Sequence, residues 1–108
     1  MNFTDIANRF AKSSSGTDAF KLFYKSAFDL MKTDPDNAGL YFVVGIAAQS
    51  FVRRYEDQGI STEFAEQAKS KLDGFNQKLI LALEAEPIER LRLLGEVAID
   101  YEWHVPSF

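Results

Sequence analysis

Residues 40–55, LYFVVGIAAQSFVRRY, decide the fold, because their first half admits two readings. Taken alone, LYFVVGI is short, apolar and β-branched enough for a buried strand. Phe51, Val52 and Tyr55 extend the same faces at helical spacing, however, and Ala47 and Ala48 are strong helix formers. The spacing therefore predicts a helix over about residues 35–57, apolar nearly all round at first and one-sided after Gln49. A helix of that kind belongs at the centre of a bundle.

Working back from it, Asp34-Pro35 has the form of an N-cap followed by proline at the first helical position. The preceding helix must then stop near Thr33. Phe20, Phe23, Tyr24, Ala27, Leu30 and Met31 follow the i, i+3, i+4, i+7 pattern behind a cap at Thr17 or Asp18. So short a turn predicts that these two helices are antiparallel neighbours. Before the flexible KSSSGT join, Phe3, Ile6, Ala7 and Phe10 form a short amphipathic helix over residues 3–12.

Working forward, Gly59 is placed as the residue that ends the central helix, with Ile60 packing beside it and Ser61 capping the next. Phe64, Ala68, Leu72, Phe75, Leu79 and Leu83 make one stripe along a long helix, where Gly74 is expected to permit close packing. Pro87 starts a last helix with Leu91, Leu94, Ala98 and Tyr101 on one face, and Pro106 forbids its continuation. The expectation is one all-α domain over residues 1–108: an up-and-down bundle of four main helices plus a short N-terminal helix.

Composition narrows the function. The chain of 108 residues is 46% apolar, with ten Phe, enough for one core and too little for two. It has no cysteine, so a disulfide framework and a thiolate metal site are both excluded. MNFTDIANRFAK lacks the form of a secretory signal, no apolar run is long enough to span a bilayer, and a cytoplasmic location is expected. Net charge is −4: residues 1–33 hold five Lys/Arg against three Asp, residues 34–108 seven against thirteen Asp/Glu. An acidic surface does not suit nucleic acid, and it does suit a basic protein.

Chemistry is sparse. The one histidine, His104, is the sole candidate base, and with Asp100 and Glu102 it forms a non-distinctive trio for a metal. Glu63 and Glu66, like Glu84, Glu86 and Glu89, fit solvated helix ends better than a carboxylate cage. The aromatic series on the second and third helices fits core packing. No enzyme activity and no cofactor are expected.

The segment AIDYEWHVPSF, residues 98–108, alternates acids with aromatics. Trp103, Val105 and Phe108 could fold back and seal one end of the bundle. Alternatively Asp100, Glu102, Trp103 and His104 form a partner-binding set, an aromatic anchor beside complementary charge. A second candidate set is Glu56, Asp57, Glu63 and Glu66, around the turn between the third and fourth helices.

Residues 20–79, FKLFYKSAFDLMKTDPDNAGLYFVVGIAAQSFVRRYEDQGISTEFAEQAKSKLDGFNQKL, resemble in architecture and composition the small helical immunity proteins of bacterial toxin systems, of the contact-dependent growth inhibition, type VI effector and tRNase-colicin types. The resemblance implies a cytoplasmic inhibitor that binds a cognate toxin domain with a basic surface, often a nuclease, and carries over no site residue. The alternative from another class is a regulatory or adaptor module that homodimerises. A monomer with an acidic rim favours the first, and a symmetric exposed apolar stripe the second.

Overall fold

The computed structural model describes residues 1–104. Its elements are α1 (Phe3–Lys12), α2 (Thr17–Thr33), a 3-10 turn (Pro35–Asn37), α3 (Ala38–Tyr55), α4 (Thr62–Glu84) and α5 (Pro87–His104). No strand occurs among the described residues. The protein is the all-α bundle, with a short N-terminal helix, that the periodicity predicts.

The weight of the helices is less even than their lengths suggest. Helices α2 and α3 form the most extensive pairing, α1 lies against both α2 and α4, and α3 touches α4. Helices α1 to α4 thus make a closed ring, and α5 is laid outside it, mainly on α4. Helix α1 is integral to the core despite its ten residues: Phe3, Ile6, Ala7 and Phe10 are all buried. Its start is held by a capping box, with the Asp5 N–H donating to Asn2 Oδ1 at 2.9 Å and the Asn2 N–H to Asp5 Oδ2 at 3.1 Å.

An aromatic column runs through the ring. Phe10 meets Phe20 edge-on with centroids 5.0 Å apart, Phe20 stacks on Phe51 at 4.2 Å, and Tyr55 and Phe64 continue it. Each such pair adds about 0.5–1.5 kcal/mol beyond the area it buries. Helices α2 and α3 approach closely because Gly45 faces Phe28: a Cβ there would lie 2.8 Å from the ring Cδ1.

Four local expectations are corrected. Helix α3 does not begin at Pro35. The Asp34 carbonyl accepts from the Asn37 N–H at 3.2 Å, an i to i+3 bond that tightens the first turn into 3-10 form. The N-cap of α2 is Gly16, which offers no side chain, in place of Thr17 or Asp18. Gly59 is not a left-handed terminator: no described residue has positive φ, and α3 ends through right-handed Glu56. Gly74 permits no close packing, since a Cβ there would meet nothing within 4 Å. Ser61 does cap α4, accepting from the Phe64 N–H at 3.0 Å.

The two turns at one end are bolted together. Arg90 donates to the carbonyls of Ala82 and Ala85, each at 3.0 Å, and to that of Leu83, all at the C-terminus of α4, where carbonyls run out of intrahelical donors. It also donates to Asn37 Oδ1 at 3.0 Å, across to the α2–α3 turn. There Asn37 Nδ2 and the Tyr41 hydroxyl both donate to Asp34 Oδ2. These bonds, Tyr41's first, lower the Asp34 pKa, while burial and then Asp34 raise that of Tyr41.

Candidate partner-binding surface

Helix α5 has apolar residues in two registers. Val97 is buried and Leu93, Leu94 and Tyr101 pack against the core, Tyr101 edge-on to Phe75 at 6.4 Å. The other register is Ile88, Leu91, Gly95 and Ile99, with spacings of three, four and four, which places it on the side away from the bundle. Ile88 is 86% exposed, Leu91 70% and Ile99 57%. Trp103, one turn beyond Ile99, is 75% exposed.

Single exposed apolar residues are ordinary, but a row of them along one helix is not. Leu91 was expected on the core face with Leu94, and the structure corrects this. Bundle contact is limited to one side of α5, so only one of the two stripes can be covered. The signal was present in the excess of Ile and Leu over what a single helical face can hold.

The acidic set divides by position. Glu102, Trp103 and His104 are exposed at the end of α5, and Asp100 is half-buried, 3.3 Å from His104 Nδ1. Glu102 is two residues from each of them, hence on another side of the helix, so the imagined metal trio does not converge. Among the described residues no three ligand-type side chains gather. The sealing tail is corrected for Trp103, which faces solvent. Val105 and Phe108 lie outside the described residues.

Residues 84–104 hold six carboxylates against two arginines, so the four-charge excess of the whole chain resides there. Both arginines are engaged: Arg90 in the turn, Arg92 between Glu89 and Glu96. Glu96 also takes Lys78 at 3.1 Å. These contacts, Arg92 for Glu89 and chiefly Lys78 for Glu96, lower both carboxyl pKa values. Glu84, Glu86 and Glu102 have no ion-pair partner among the described residues.

The second predicted set is separate and weaker. Tyr101 is level with Phe75, and Glu66 lies nine residues earlier on α4, about 14 Å along the axis. Glu56 is bound by Lys21, whose pKa its hydrogen bond raises, while Asp57, Glu63 and Glu66 are exposed. The groove there, about 330 Å³ between the α1–α2 and α3–α4 loops, has Ser15, Thr17, Gln58 and Ser61 on its walls. Its aromatic, Tyr55, is only partly exposed and packs against Phe51 and Phe64. No helix among the described residues is long and apolar enough to cross a membrane.

No protein-family model, curated protein or solved structure matches the chain.

Proposed function

We propose that the protein is a non-enzymatic inhibitor of the immunity type, which occupies a basic surface of a cognate toxin domain in the cytoplasm with the outer side of α5. The observation that carries this reading is Trp103, 75% exposed at the end of an exposed apolar row and next to Glu102, which has no ion-pair partner among the described residues. A large aromatic supplies contact area at low entropic cost and is the commonest kind of interface anchor. Carboxylates around it speed encounter with a basic partner and reject acidic ones. Asp100 and His104, paired on the same turns, serve as polar rim.

The continuous row on α5 also suits a homodimerising adaptor, and the charge weighs against it. An isologous contact would set two copies of the same acidic face against each other, with no surplus cation to offset them.

The test is expression of the open reading frame immediately upstream, alone and together with this chain. Toxicity relieved by the wild-type chain, and not by a form carrying Trp103→Ala with Glu102→Lys, supports the proposal. A neighbour that is harmless alone, or toxic in both cases, rejects it. Protection retained by that double variant and lost on charge reversal at Glu63 and Glu66 moves the interface to the other acidic set.

A further inference from the structure

We infer that the outer side of α5, with the groove beside its first turns, is a seat for one amphipathic helix of a partner, apolar on the side that docks and basic along its edges. This rests on α5 being a partner-binding face, and not on the partner being a toxin.

Three features define the shape of the occupant. The exposed row from Ile88 to Trp103 spans fifteen residue steps, about 22 Å, straight along one helix. Such a ridge matches the grooves of another helix. The ridge has a notch at Gly95, where a Cβ would meet nothing within 4 Å, so a large side chain of the occupant can enter between Leu91 and Ile99. At its first turns the ridge borders a groove of about 250 Å³ that Leu91 and Leu94 share with Gly39 and Leu40 of α3. Gly39 keeps this groove open, since α3 offers no side chain there and its backbone lies toward Leu94.

Charge defines the chemistry. Among the described residues the carboxylates of Glu84, Glu86 and Glu102 have no ion pair at the two ends of the ridge, and Asp36 lines the groove. The nearby arginines are held by carbonyls, Asn37, Glu89 and Glu96. Lysines or arginines flanking an apolar stripe complete this surface, and a second copy of α5 does not.

Trp103 is the only tryptophan of the chain, so its fluorescence reports occupancy directly. The probe is a synthetic helical peptide of α5's length with leucines at i, i+3, i+4 and i+7 and lysines elsewhere, compared with the same peptide bearing glutamates. Leu91→Lys and Gly95→Lys alter the seat. Leu22→Lys makes the same charge change on α2 at another exposed apolar site. Circular dichroism verifies that each variant is folded.

The expected result is a saturable blue shift with the lysine peptide alone, weakened about tenfold or more by Leu91→Lys and by Gly95→Lys but not by Leu22→Lys. Absence of saturable binding overturns the inference, as does equal weakening by all three variants. A dimer of the chain alone that Leu91→Lys dissociates overturns it too, by making a second copy the occupant. Toxin neutralisation lost with Trp103→Ala while the peptide fails to bind would leave the inhibitor reading standing without the helix seat. The reverse pattern would leave the seat without the inhibitor.

Discussion

Glycines 45, 74 and 95 all lie inside helices, and their neighbours give them opposite meanings. At Gly74 and Gly95 an added Cβ meets nothing, so only the conformational freedom of the unfolded chain is at stake. Gly74→Ala is expected to raise stability by about 0.5–1 kcal/mol, read as a higher urea midpoint with an unchanged slope. Gly45→Ala drives a methyl into the Phe28 ring and is expected to cost about 1–3 kcal/mol in the same titration. Asn76 is the opposite kind of anomaly: 1% exposed on α4, with no hydrogen-bond partner for either amide atom among the described residues. A buried amide without partners costs about 1–3 kcal/mol, so Asn76→Leu, close in volume, is expected to raise the melting temperature. A lower melting temperature would show that the amide is satisfied after all.

The turns between helices carry more specificity than the helices they join. In the α2–α3 turn, hydrogen bonds from Tyr41 and Asn37 hold the Asp34 carboxyl below its ordinary value. An aspartate in the unfolded chain titrates near pH 4, so the stabilisation is complete above that pH and is lost as pH falls through the lower folded value. The deficit of Asp34→Ala relative to wild type should be full at pH 7 and shrink below about pH 4. A deficit that stays constant down to pH 3 would refute this linkage. In the α4–α5 turn, Arg90 reaches three carbonyls and Asn37 with a planar fork of donors. Arg90→Lys should therefore lose nearly as much as Arg90→Ala, about 1.5–3 kcal/mol in thermal unfolding, because one ammonium cannot span those acceptors.

For the molecule as a whole, the ring of α1 to α4 supplies the core and α5 supplies the surface. The two sides of α5 should respond differently to substitution. Val97→Ala empties a fully buried site and is expected to cost about 2 kcal/mol. Leu91→Lys and Trp103→Ala, both in solvent, should change stability by no more than about 0.5 kcal/mol while removing partner binding. Unfolding curves and binding curves measured on the same variants separate the two roles. An outer substitution that destabilises as strongly as Val97→Ala would mean that the outer side is covered within the molecule itself.

Helix type was legible along the chain because it depends on spacing between near neighbours: Phe3 to Phe10 in α1, the stripe of α2 and its end at Thr33, and the Ser61 cap all lie within one or two turns. The acidic, aromatic character of residues 100–104 was legible for the same reason, as composition. Whether Leu91 or Leu94 faces the core was not legible, since both fit a helical stripe and the choice depends on where α4 and α3 lie beside α5. Nor was the difference between Gly45 and Gly74, which rests on Phe28 across the α2–α3 contact. Burial is a property of what packs against a residue from elsewhere in the chain. Local periodicity therefore specifies which helices form, and their packing specifies which of the two apolar faces of α5 is left exposed.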